Sequence, residues 1–199
     1  KSPANDLLSA IANAEINGEK LSDEFLDGSW LLIIFAGNDT TRNTMSGGIK
    51  ILHENQKQKE MLIDNLELLP NFINETVRCV SPVIHMRRTS LEETEINGQK
   101  IGPYEKIALW YGAANRDPSV FEDPNKFNIL RDNADKHLAF GIGRHTCIGK
   151  PIALMQLQEF YSQFLVRFQD FEMNGDWKVA PNNFVHAIQE MPIKYSPEN

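Results

Sequence analysis

Cysteine is scarce in this chain: two of 199 residues, Cys79 and Cys147. Two thiols make no disulfide framework and suit a reducing compartment. Positive charge is short as well, with 20 Lys and Arg against 27 Asp and Glu and a formal net charge of -7. That balance argues against a nucleic-acid binder, which needs a basic excess to meet phosphates. Long apolar runs are missing too. The longest, Trp30 to Ala36, falls far short of the ~20 residues that a membrane-spanning helix requires. No signal-peptide pattern opens the chain, no segment repeats, and neither G-x-G-x-x-G nor a Walker glycine–lysine loop occurs. With 41% hydrophobic and 24% charged residues, the expectation is a soluble cytoplasmic protein of one domain, at most two.

What is present is concentrated near the end, in Phe140-Gly141-Ile142-Gly143-Arg144-His145-Thr146-Cys147-Ile148-Gly149. Gly141 and Gly143 permit a backbone with positive φ and let a flat ligand approach. Cys147 stands directly before a helical pattern, Ile148 to Phe168, in which Ala153, Leu157, Phe160, Phe164 and Phe168 share one face. A sulfur near a helix N-terminus is favoured as thiolate. Such a thiolate is a soft metal ligand or a nucleophile. A buried, inert cysteine at a loop–helix junction is the plainer alternative. Zinc would need a second Cys or His pair at zinc spacing, which is lacking.

Upstream, Pro3 to Ala14 reads as a short amphipathic helix closed by Asn17-Gly18. Ser22 is a cap for a long helix over Phe25 to Leu52, with Asp23 and Glu24 in its first turn. The run Trp30 to Ala36 is apolar on all sides, so such a helix should be enclosed by other protein. The competing reading makes Trp30 to Phe35 a buried strand, Ala36-Gly37 a loop and Asp39 a new cap, as in an α/β nucleotide-binding unit. Leu66 to Val80 is a further helix with Pro70 near its start, and Glu75 and Arg78 share a face. Val83 to Thr89 reads as a strand, and Glu95 to Ile101 as a hairpin around Asn97-Gly98. Lys106 to Trp110 is another strand and Tyr111 to Arg116 a short helix or turn, broken by Asp117-Pro118. Phe121 to Arg131 is irregular. Strands around Phe171–Met173 and Val185–Gln189 finish the chain. Cys79 reads as an inert buried thiol, and His53, His85, His137 and His186 as ordinary residues.

The loop resembles the cysteine-ligand loop of the cytochrome P-450 family, F-G-x-G-x-H-x-C-x-G, and fills every defined position: Phe140, Gly141, Gly143, His145, Cys147 and Gly149. Ala36, Gly37, Asp39, Thr40 and Thr41 are similar to the family's oxygen-binding motif. Glu75 and Arg78 stand as its E-x-x-R, and Ala114 to Pro118 followed by Phe121, Pro124, Phe127 and Arg131 as its meander. The resemblance implies a mainly α fold with small β-sheets (α+β), a long central oxygen-binding helix and haem b with an axial thiolate from Cys147. It implies that Phe140, Gly141 and Gly149 pack beside the haem, that His145 and Arg88 (rather than Arg87) meet its propionates, and that Thr40 and Asp39 serve dioxygen and proton delivery. Glu75, Arg78 and Arg131 would form a structural triad, and Met191-Pro192-Ile193 would line the pocket. Arg144 and Lys150 could meet an acidic electron carrier or simply be solvated.

Family members are about twice this long, so residues 1–199 are expected to be a partial domain, the C-terminal half. The expected activity is a monooxygenase acting on a steroid, terpenoid or fatty-acyl substrate with O2, fed by a ferredoxin-type partner. The alternatives are a truncated, incompetent haem-binding fragment and, remotely, the nucleotide-binding module.

Overall fold

In the computed structural model, which describes residues 4–196, Asp6 starts the first helix by accepting the Ser9 amide at 2.7 Å. This helix, α1 (Leu7–Ala12), is shorter than the sequence suggests, and the expected start at Pro3 lies outside the described residues. Asn17-Gly18 does more than stop it. Asn17 (φ 55°) and Gly18 (φ 83°) make the turn of a small hairpin between β1 (Glu15–Ile16) and β2 (Glu19–Lys20). Successive positive φ angles are what a two-residue hairpin loop demands, and Asn-Gly supplies them at least cost.

Ser22 accepts the Phe25 amide at 3.3 Å and opens α2 (Asp23–Glu54), a helix of 32 residues. The strand alternative for Trp30 to Phe35 is therefore overturned. A glycine inside a helix costs about 1 kcal/mol, and Gly37 does not interrupt this one. The expected enclosure of its apolar run is not found either: Leu31, Leu32, Ile34 and Phe35 are 48–70% exposed. The chain divides into two compact units, residues 1–39 and 40–199.

In the second unit the remainder of α2 buries Thr41, Thr44, Gly48 and Leu52, which recur every three to four positions on one face. Then come α3 (Gln56–Asp64), a single 3-10 turn at Leu66–Leu68 and α4 (Leu69–Val80). Pro70 sits in the first turn of α4, where no amide donor is needed. Ser81 ends α4 with φ 43°, donating its amide to the Val77 carbonyl at 2.9 Å. Strand β3 (His85–Thr89) pairs with β6 (Lys106–Trp110), and β4 (Thr94–Ile96) with β5 (Gln99–Ile101), all antiparallel. Asn97 (φ 48°) and Gly98 (φ 80°) form the expected turn.

After α5 (Tyr111–Ala114) the backbone is irregular to Gly149, apart from 3-10 turns at Ala134–Lys136 and Gly143–His145. Helix α6 (Lys150–Arg167) follows, two residues later in start than its apolar pattern. Finally β7 (Glu172–Met173) pairs with β10 (Ile193–Lys194), and β8 (Lys178–Val179) with β9 (Ile188–Glu190). The core joins Leu52, Leu62, Phe72, Val77, Ile129, Leu157, Tyr161, Leu165 and Phe171. Helices α2 and α6 approach closely where Gly48 faces Tyr161: the phenol hydroxyl lies 3.0 Å from the carbonyl oxygens of Thr44 and Met45. Met191 and Ile193 pack against this core.

Candidate functional site

Glu75 and Arg78, one helical turn apart on α4, are both fully buried. A carboxylate in a dry interior is tolerated only when its lone pairs are met. Arg78 meets them as a fork, with Nε 2.7 Å from Oε2 and a terminal nitrogen 2.8 Å from Oε1. Arg131 adds its Nε at 3.1 Å from both oxygens, and the Asn128 amide donates at 3.0 Å. The other guanidinium hydrogens go to backbone carbonyls of the irregular segment: Asn115, Pro124 and Lys126 for Arg78, and Glu122, Asp123 and Lys126 for Arg131. A stretch with little regular structure is thus held by two side chains on one buried carboxylate. The triad expected from Glu75, Arg78 and Arg131 is assembled.

Asn115, which reads in the sequence only as part of the meander, carries that network onward. It is fully buried. Its carbonyl receives Arg78 at 2.7 Å, its side-chain amide donates to the Ser81 hydroxyl at 2.8 Å, and its Oδ1 accepts the Leu138 amide at 2.6 Å. Leu138 in turn accepts the Gly141 amide at 2.8 Å, and Phe140 accepts the Cys147 amide at 2.8 Å. The cysteine loop is therefore tied by hydrogen bonds to the floor of the core.

Gly141 (φ 70°) and Gly143 (φ 69°) adopt the left-handed backbone expected of them, and a Cβ on Gly141 would lie 3.1 Å from the His145 carbonyl oxygen. Residues 142–148 are all exposed. Phe140 is half-buried against the core, with the Lys150 ammonium 5.6 Å from its ring centre. Gly149 caps α6, and the Lys150 amide donates to the Cys147 carbonyl at 3.2 Å, so Cys147 lies at the junction of loop and helix. His145 ends the 3-10 turn with its side chain exposed.

The two cysteines differ sharply. Cys79 is half-buried beside the triad, and burial, with Glu75 next, pushes its thiol up to about 11. Cys147 is exposed. Of the paired arginines on β3, Arg88 is half-buried opposite Ile107, whereas Arg87 is exposed opposite Ala108. Asp39 and Thr40 stand half-buried on α2, where the Thr44 hydroxyl donates to the Thr40 carbonyl at 2.8 Å.

The cytochrome P-450 family model matches residues 1–196. The chain belongs to the cytochrome P-450 family. It is 37% identical over 196 residues to linalool 8-monooxygenase of Pseudomonas putida, covering 98% of this chain and 48% of that protein. It is 38% identical over 197 residues to steroid C26-monooxygenase of Mycolicibacterium smegmatis, covering 98% and 49%. Among solved structures, CYP108D1 of Novosphingobium aromaticivorans superposes with a TM-score of 0.90 at 33% identity, over 98% of this chain and 47% of that one. CYP109E1 of Bacillus megaterium, in complex with testosterone, gives 0.88 at 33% identity, over 97% and 54%. The chain spans about half the length of the curated relatives it matches.

Membership of the P-450 family implies a haem held by a cysteine thiolate. The residues present fit that group. Cys147 is accessible at the mouth of a loop whose positions 141, 143 and 149 present no side chain, and a Cβ on Gly149 would lie 3.8 Å from the sulfur. Cys79 is instead 3.3 Å from the Arg78 guanidinium and 3.9 Å from the Glu75 carboxylate. Among the described residues no helix is long and apolar enough to cross a membrane.

Proposed function

We propose that this chain carries the haem-binding portion of a monooxygenase that inserts one atom of O2 into a hydrophobic organic molecule. The observation that carries the reading is Cys147, exposed on a glycine-lined loop whose backbone is pinned to a fully satisfied buried network. Bound haem would supply the redox chemistry that cleaves the O–O bond, for which a thiolate ligand is suited. Cys147 provides the thiolate. Phe140, Gly141 and Gly149 form the bed around it, and Arg88 and His145 offer donors to propionates, a guanidinium being the better match for a carboxylate. The Thr40 hydroxyl donates a hydrogen bond to oxygen, and the Asp39 carboxylate takes protons from water and gives them up in turn.

Relatives named for linalool, steroids and methyl-branched lipids support a terpenoid, steroid or fatty-acyl substrate. Electrons would come from a ferredoxin-type protein, and two unpaired thiols favour a cytoplasmic setting. A second reading rests on the exposure of Leu31, Leu32, Ile34 and Phe35, and on the half-length match. In it the chain is a truncated haem-binding piece without turnover, its apolar helix face awaiting further P-450 sequence.

Haem titration, the reduced CO spectrum and a ferredoxin-driven oxidation assay on the 199-residue chain separate these readings. A red-shifted Soret band with product formation supports the enzyme. The same band without product supports the fragment. No haem uptake sinks both.

A further inference from the structure

We propose that His137 is a positioning residue for the cysteine loop, acting as a neutral imidazole protonated at Nε2. The proposal rests on the reading of Cys147 as the haem ligand, but its geometry is independent of haem. His137 is 7% exposed. Its Nδ1 accepts the Ala139 amide at 3.2 Å, so that nitrogen carries no hydrogen. A neutral ring must then hold its proton at Nε2, and Nε2 is buried with no protein partner. Protonating Nδ1 would break the Ala139 bond and place a charge in a site that already feels Lys150 and Arg78; burial first, and Lys150 second, lower its pKa from 6.5 to about 4. Asp135 and Glu75 act in the opposite sense and are outweighed.

Two successive amides, those of Leu138 and Ala139, are thus received by two buried side chains, Asn115 and His137. The imidazole also packs against the Phe140 ring, 5.5 Å between centroids. Phe140 carries the carbonyl that accepts the Cys147 amide at 2.8 Å. Because residues 142–148 are exposed, packing does little to hold the sulfur, and its place depends on these backbone bonds. Glu75, Arg78 and Asn115 hold the loop's base; His137 sets the turn from which Phe140 receives Cys147.

His137→Phe keeps a ring against Phe140 and loses the Nδ1 acceptor, whereas His137→Asn keeps an acceptor near the Nδ1 position. Hydrogen exchange of the Ala139 and Cys147 amides in the 199-residue chain reads the loop without haem, and the reduced CO band of the haem-loaded chain reads the thiolate. Expected for His137→Phe are ~10-fold faster exchange at both amides, unchanged exchange at Asn128, and loss of part of the red-shifted band; His137→Asn should restore slow exchange at Ala139. Wild-type exchange rates and an unaltered band in His137→Phe would overturn the proposal. Should His137→Phe not fold, 15N NMR of the wild-type imidazole decides: an Nε2–H tautomer supports it, an Nδ1–H tautomer refutes it. If wild type takes up no haem, the proposed function fails, while the exchange and tautomer results still decide the role of His137.

Discussion

Arg131 reaches Glu75 from within the irregular segment, its Nε 3.1 Å from both carboxylate oxygens. Both side chains are buried, Glu75 entirely. Removing one member of such a network leaves a charge in a dry site, which costs roughly 3–5 kcal/mol. Arg131→Ala should therefore destabilise the chain by about that amount in urea unfolding, with Glu75→Ala as severe. A loss below about 1 kcal/mol for either would show that the network does not hold the segment.

The Gly48–Tyr161 contact gives a second stability test. A Cβ on Gly48 would come 2.0 Å from the Tyr161 hydroxyl oxygen and 2.9 Å from Thr76 Cγ2. Overpacking of this kind costs about 1–3 kcal/mol, occasionally more, so Gly48→Ala should lower stability by at least that. Tyr161→Phe alone gives up the single hydroxyl hydrogen that faces the Thr44 and Met45 carbonyls, for about 1 kcal/mol. Combined, the two should cost less than their sum, because the phenol oxygen is the nearest obstacle. Strict additivity in the double mutant would contradict the close approach.

Much of this architecture is legible in the sequence, since it rests on period and on turn chemistry. The 3.6-residue pattern locates α6, Pro70 marks the first turn of α4 although the expected start at Leu66 is a 3-10 turn, and Asn97-Gly98 announces its hairpin. Asn17-Gly18 is the same signal, and it makes a second hairpin that a reading fixed on the preceding helix overlooks. The run Trp30 to Phe35 is ambiguous by its nature, because a short all-apolar segment fits a buried strand and a buried helix equally. Its helical hydrogen bonds, carried through Gly37, decide it. On α6, Tyr161 and Leu165 are more deeply buried than Phe160 and Phe168, since the aromatic stripe spreads over a face wider than its centre. Asn115 reads in the sequence only as part of the meander, and His137 as an ordinary residue, for a different reason. A buried polar side chain has no periodic signature; only tertiary partners, here the Leu138 and Ala139 amides, reveal what it does.

His137 also imposes a pH dependence. Its pKa falls from 6.5 to about 4 in the folded chain, chiefly by burial. As pH drops below 6.5 the unfolded state takes up this proton and the folded state does not, so stability decreases toward pH 4 and the loss then levels off. The shift corresponds to about 3 kcal/mol. Urea unfolding at intervals between pH 7 and 4 should show a steeper loss in wild type than in His137→Phe. Parallel curves would mean that His137 is protonated as readily folded as unfolded.

On α2, Thr40→Ala and Asp39→Asn test proton handling apart from haem capture. Neither side chain is assigned to holding the prosthetic group, so haem uptake and the reduced CO band should survive both substitutions. Turnover with a redox partner should fall by ~10²-fold, the usual scale for losing a positioned proton donor, while oxygen consumption falls less. A substitution that instead removes haem binding would place that residue in the scaffold.

The central claim is that Cys147, and not Cys79, supplies the thiolate. It is tested most directly by the reduced CO spectrum of the haem-loaded chain in wild type, Cys147→Ser and Cys79→Ser. The account predicts a strongly red-shifted Soret band in wild type and Cys79→Ser, and its loss in Cys147→Ser. A shifted band that persists in Cys147→Ser would contradict it.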